Sequence, residues 1–92
     1  LDELADLLRV NPQIRIQLSS HTDCRGERAY NQILSQKRAQ SAVDYLIYKG
    51  IDYERLTAKG YGEDKLLINC ECNKCTEEEH QLNRRTTFTI LD

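Results

Sequence analysis

The sequence predicts an α+β domain, an α/β sandwich in which a small mixed sheet carries its helices on one face. Three observations carry that prediction. Ile14-Arg15-Ile16-Gln17-Leu18-Ser19 and Thr86-Thr87-Phe88-Thr89-Ile90 alternate in character with a period of two, as strands do. Leu1, Leu4, Ala5 and Leu8, and later Leu34, Ala39, Ala42, Val43 and Leu46, recur at spacings that line one face of a helix. The elements then run α, β, α, β, short α, β, with connections too long for tight hairpins, and helices layered on one side of a mixed sheet satisfy that order. A chain of 92 residues leaves room for one domain and a modest core.

The first helix ends at Asn11-Pro12, because proline cannot continue it. Its leucines are expected in the core. The strand from Ile14 stops at a turn, His21-Thr22-Asp23-Cys24-Arg25-Gly26, and a long helix spans Glu27 to Lys49, with a buried stripe that includes Ile47. Lys49-Gly50 closes it with a cation and a residue free to adopt the left-handed cap conformation. A short strand, Arg55 to Lys59, is expected to leave the sheet sharply at Gly60-Tyr61-Gly62. Residues 63–75 are irregular. Thr76-Glu77-Glu78-Glu79 fits a capping box, with Thr76 as N-cap and Glu79 reaching back, so a short helix follows to about Leu82. The last strand begins near Arg85.

Charge and composition narrow the function classes. A net charge of −2 lacks the clustered basic excess of a nucleic-acid binder, so no nucleic acid is expected as a partner. No apolar run approaches the roughly 18 residues of a membrane span, so contact with a membrane would have to come through parts of a parent protein outside this chain. The chain opens at Leu1 in mid-helix, contains no methionine and lacks a charged and apolar leader, which reads as a fragment of something larger. No nucleophile with a base and an orienting acid stands out, so no catalysis and no cofactor are expected.

Binding chemistry is expected at the first turn, which lies at the carboxyl end of a strand and ahead of a helix, where open sheets tend to seat ligands. Asp23 stands in that turn. Arg38, fifteen positions on, has no acidic residue three or four places away, so its guanidinium is free for a ligand. The bland alternatives are a turn-stabilising aspartate and a solvated arginine. Asn83-Arg84-Arg85 at the mouth of the last strand is either an anion site or a solvated cluster. The cysteines are also open to two readings: Cys70-x-Cys72-x-x-Cys75 with Cys24 or His80 could surround a zinc ion, or the four could form two disulfides.

These residues carry a family resemblance. His21-Thr22-Asp23 with Gly26, Asn31 through Ala39, Val43, Tyr45-Leu46, Gly50-Ile51, Arg55-Leu56, Gly60-Tyr61-Gly62-Glu63 and Asn83-Arg84-Arg85 occur in the order found in the OmpA-like peptidoglycan-binding domain. That family includes the C-terminal domain of outer-membrane protein A, the peptidoglycan-associated lipoprotein and the flagellar stator protein MotB. The resemblance spans nearly the whole chain. It implies a βαβαβ-type fold whose first strand is missing here, and a noncovalent anchor on the periplasmic face of the outer membrane. The implied partner is peptidoglycan, held by the diaminopimelate residue of its stem peptide.

The resemblance also assigns roles. Asp23 would hold the diaminopimelate ammonium and Arg38 its carboxylate. From their positions, Thr22 and Asn31 would bond the ligand or fix the loop and Leu34 would form an apolar wall unless it is simply core, while the resemblance places Arg84 beside the pocket. The absent strand would leave an open sheet edge, a surface for a partner chain, for self-association or for an assembly role without the ligand. An extracytoplasmic setting favours disulfides over zinc. Of the three connectivities, the one with a Cys70–Cys72 bridge closes too tight a ring; of the two that remain, Cys24–Cys72 with Cys70–Cys75 is preferred over Cys24–Cys70 with Cys72–Cys75.

Overall fold

A computed structural model describes residues 1–91. Its elements are helix α1 (Asp2–Val10), strand β1 (Arg15–His21), helix α2 (Arg28–Tyr48), strand β2 (Leu56–Gly62), helix α3 (Glu77–Asn83) and strand β3 (Thr86–Leu91), with short 3-10 turns at Tyr53–Arg55 and Cys72–Lys74. The three strands form one mixed sheet in the order β2-β1-β3. β1 runs parallel to β2 and antiparallel to β3, so Leu18 lies between Ala58 and Phe88.

Alternation along the strands sorts the two faces. Ile16 and Leu18 join Leu56, the α1 residues Ala5 and Leu8, and Ala42, Val43 and Leu46 of α2 in a continuous core. Each fully buried leucine or isoleucine there contributes about 1.5–3 kcal/mol. Gln17, Ser19, Tyr61, Thr87 and Thr89 line a polar hollow on the opposite face. Arg55 ties the layers together: its guanidinium donates to the carbonyls of Leu8, Asn11 and Ile14 at 2.8, 2.7 and 3.0 Å, satisfying the orphan acceptors where α1 ends.

The two long caps follow from sequence. After α2, Gly50 adopts φ +97°, the Gly50 N–H donates to Ile47 and the Ile51 N–H to Leu46, which is the Schellman arrangement. Before α3, Thr76 Oγ1 accepts from the Glu79 N–H while Glu79 accepts from the Thr76 N–H.

Several expectations need correction. β1 continues through Ser20 to His21, so the histidine is a strand residue and the turn begins at Thr22. β2 likewise runs through Gly60 and Tyr61. Gly60 is there for close approach: a Cβ on it would lie 2.2 Å from the Gln36 backbone nitrogen. That contact lets α2 grip β2, with Gln36 Oε1 accepting from Gly60 N–H at 2.7 Å and Ser35 Oγ from Gly62 N–H at 2.8 Å. Leu1 and Ile47 are exposed and Leu34 is half-buried, while Asn31 and Ser35 take the buried positions at the start of the α2 stripe.

β3 has a strand neighbour on one side only among the described residues. Phe88 and Ile90, though on the helix side of the sheet, therefore remain 44% and 50% exposed. An apolar groove of about 760 Å³ runs beside them, walled by Leu1, Leu4, Leu7, Tyr45 and Phe88. No helix among the described residues is long and apolar enough to cross a membrane.

Candidate functional site

The carboxyl end of β1 brings three separate segments together. The Thr22 N–H donates to the Gly62 carbonyl and the His21 N–H to that of Arg85, so the turn is stitched to the ends of both neighbouring strands. Thr22 is buried and its hydroxyl donates to the Asp23 carbonyl at 2.9 Å. Asn31, buried in the first turn and a half of α2, reaches back with its amide to the Arg25 carbonyl at 2.9 Å and to Glu63 at 3.2 Å. Both residues therefore fix the loop.

Asp23 is 6% exposed and heavily engaged. Its carboxylate accepts from the Arg25 backbone N–H at 2.9 Å, closing an Asx turn, from the Arg25 guanidinium at 2.8 Å and from Arg84 at 2.7 Å. Glu77, at the start of α3, accepts from both arginines, at 3.1 and 2.8 Å. Asp23, Arg25, Glu77 and Arg84 thus form a closed ring of alternating charge whose formal sum is zero. Burial alone would raise the Asp23 carboxyl, but the two guanidiniums and the backbone donor outweigh it and hold the group well below the ordinary carboxylate range. Glu77 is lowered chiefly by the hydrogen bond from Arg84, and Arg84 is raised first by Glu77 and then by Asp23.

Beside this ring is a pocket of about 200 Å³ lined by Ser20, His21, Arg38, Arg84, Arg85 and Thr86. Arg84 belongs to both. Arg38 has no hydrogen-bond or ion-pair partner among the described residues, in keeping with its lack of acidic helical neighbours. Among the described residues the Arg85 guanidinium donates only to the carbonyls of Asn83 and Lys65. With the ring already neutral, these two guanidiniums leave the pocket with uncompensated positive charge, and an anion entering it is favoured. His21, packed at 5.3 Å on the Tyr61 ring, is biased toward its neutral form by burial and by Arg85 and Lys65.

The disulfides buttress this corner. Cys24 is bonded to Cys72 across 48 positions, with Cα atoms 5.9 Å apart, and Cys70 to Cys75, with Cα atoms 5.6 Å apart. Asn83 pins the same loop to α3. Its side chain is fully buried and pairs with both backbone groups of Ile68, accepting at 2.8 Å and donating at 3.2 Å.

Of the residues singled out from sequence, Asp23, Thr22, Asn31, Arg38 and Arg84 converge at this end of the sheet. Of these only Arg38 and Arg84 line the pocket; Asp23, Thr22 and Asn31 do not, and neither does the half-buried Leu34. Sequence reasoning gave no site role to Arg25, Glu77, Ser20 or Thr86, whereas Arg85 was named only as part of the Asn83-Arg84-Arg85 cluster, either an anion site or solvated. Arg25 follows Asp23 at the Asx-turn spacing, a signal that was available; Glu77 is visible only as part of a capping segment.

The OmpA family model matches residues 1–80. The chain belongs to the OmpA family. The peptidoglycan-associated lipoprotein of Brucella melitensis is 33% identical over 92 residues, all of this chain and 52% of the lipoprotein. Among solved structures, the peptidoglycan-associated lipoprotein from Burkholderia pseudomallei superposes with a TM-score of 0.87 at 28% identity, covering 97% of this chain and 72% of that one. The cell wall anchor of the T6SS from Pseudomonas aeruginosa does so with a TM-score of 0.75 at 30% identity, covering 92% and 59%. This OmpA-family chain therefore spans about half the length of the lipoprotein it matches, and less of the longer outer-membrane proteins.

Proposed function

We propose that this domain binds peptidoglycan noncovalently by gripping the free end of diaminopimelate in the stem peptide, and so anchors an envelope protein to the wall from the periplasmic face of the outer membrane. The carrying observation is that, among the described residues, Arg38 is unpaired and Arg85 meets no carboxylate, and both face a pocket that shares Arg84 with a neutral ring of charges. The free end of diaminopimelate is an amino acid, with a carboxylate and an ammonium on one carbon. Its carboxylate meets the planar guanidinium of Arg38, whose paired donors match it. Its ammonium meets Asp23, which has one acceptor site left after its three hydrogen bonds. The names of the lipoprotein and cell-wall-anchor relatives support the same ligand class.

The test is co-sedimentation with insoluble peptidoglycan. Asp23→Ala and Arg38→Ala proteins that melt like folded domains are expected to stay in the supernatant; retention equal to the parent would refute the site. The exposed Phe88–Ile90 edge and its apolar groove favour a second reading, an envelope assembly module that keeps the fold without the ligand. Self-association with no retention by peptidoglycan would support that reading.

A further inference from the structure

We propose that the chain, once its disulfides are reduced, carries a zinc site made of Cys24, Cys72, Cys75 and His80. The sulfurs of Cys24 and Cys75 and a ring nitrogen of His80 all lie within 4.8 Å of one another. Tetrahedral zinc with Zn–S bonds of about 2.3 Å places its sulfurs about 3.8 Å apart, so the three ligands need to close by about 1 Å. The Cys72 sulfur is not one of that trio, but it is bonded to the Cys24 sulfur and so lies next to it. Cys72 and Cys75 also have the C-x-x-C spacing of structural zinc sites, on a 3-10 turn held by Lys74 and Cys75 N–H groups donating to the Glu71 carbonyl.

His80 provides the independent observation. It is 4% exposed, and its Nδ1 has no hydrogen-bond partner among the described residues. Among the described residues His21 Nδ1 is orphaned in the same way, but only His80 places a ring nitrogen beside two cysteine sulfurs. The imidazole is also held in place, because the capping box at Thr76 and the Asn83–Ile68 pair fix α3 on either side of it.

The redox step balances. Each disulfide takes two electrons and two protons from a dithiol, which is itself oxidised to a disulfide. Three of the four resulting thiols then release their protons to solvent as thiolates bind the divalent ion, and Cys70 stays a thiol. Because Cys24 adjoins Asp23, the metal would brace the same turn that the Cys24–Cys72 bridge braces in the oxidised chain.

The experiment compares the oxidised chain with chain reduced by a phosphine, which is converted to its oxide with oxygen from water. Both are titrated with Co²⁺ and then with Zn²⁺ in anaerobic buffer. The expected result is one Co²⁺ per reduced chain, with thiolate-to-cobalt charge-transfer absorption displaced by zinc, and none per oxidised chain. His80→Ala and Cys75→Ser are expected to weaken zinc binding at least about tenfold, while Cys70→Ser leaves it unchanged. Since all three variants are read in the reduced state, loss in all of them would assign the binding to something other than these four ligands and overturn the proposal. Absence of stoichiometric metal in the reduced parent, or an undiminished affinity in His80→Ala, would overturn it too.

Discussion

Replacing Cys24 and Cys72 together by serine removes the one covalent tie between the Asp23 turn and the loop after β2, while Cys70–Cys75 remains. The bridge spans 48 positions. By chain entropy, opening a loop of that length releases about 14 cal/mol/K in the unfolded state, or about 4 kcal/mol at 25 °C. A domain of this size unfolds with about 0.19 kcal/mol/K of entropy at its midpoint, so the loss converts to a fall in Tm of about 20 °C. Differential scanning calorimetry of the oxidised parent and the double variant reads it directly. A fall under about 5 °C would show that the loop is held to the turn mainly by noncovalent contacts such as Asn83–Ile68 and the Arg84–Glu77 pair, and would refute the entropic account.

Gly60→Ala should destabilise by about 1–3 kcal/mol or more in denaturant titrations, because the added Cβ meets the α2 backbone rather than a movable side chain. Gly26→Ala, with nothing near its Cβ but a φ of +85°, should cost less. For His21, burial and nearby cations depress the folded pKa, so the unfolded chain binds more protons below the ordinary value of about 6.5. Its contribution to stability is therefore complete above that pH and is lost as pH falls through the lowered folded value. His21→Gln should flatten this part of the stability–pH curve, and an unchanged slope would argue against a buried neutral imidazole.

Local rules made much of the fold legible. The Thr76–Glu79 box, the glycine stop after Lys49 and the 3.6-residue stripe of α2 each depend on interactions within one or two turns, so spacing alone reveals them. What spacing could not show was cross-chain geometry. Gly60 reads as a turn former because its missing side chain is only explained by Gln36 of α2 packing onto it. His21 reads as part of a turn because the backbone groups that extend β1 through it belong to Gly62 and Arg85. Asp23 and Arg38 could be picked out by position and lack of local partners. The Arg25–Glu77–Arg84 ring could not, since Glu77 lies 52 positions from Arg25 and its capping segment already accounts for an acidic residue there.

Joint recognition of both charges on diaminopimelate is tested most directly by calorimetric titration with a diaminopimelate muropeptide and with its lysine counterpart, which keeps the ammonium but lacks the carboxylate. Losing a charge-assisted contact of about 1.5–3 kcal/mol corresponds to roughly ten- to a hundredfold weaker binding of the lysine form. Arg38→Ala should bring the two ligands together by weakening only the diaminopimelate form. Equal affinities for both muropeptides in the parent protein would contradict the account.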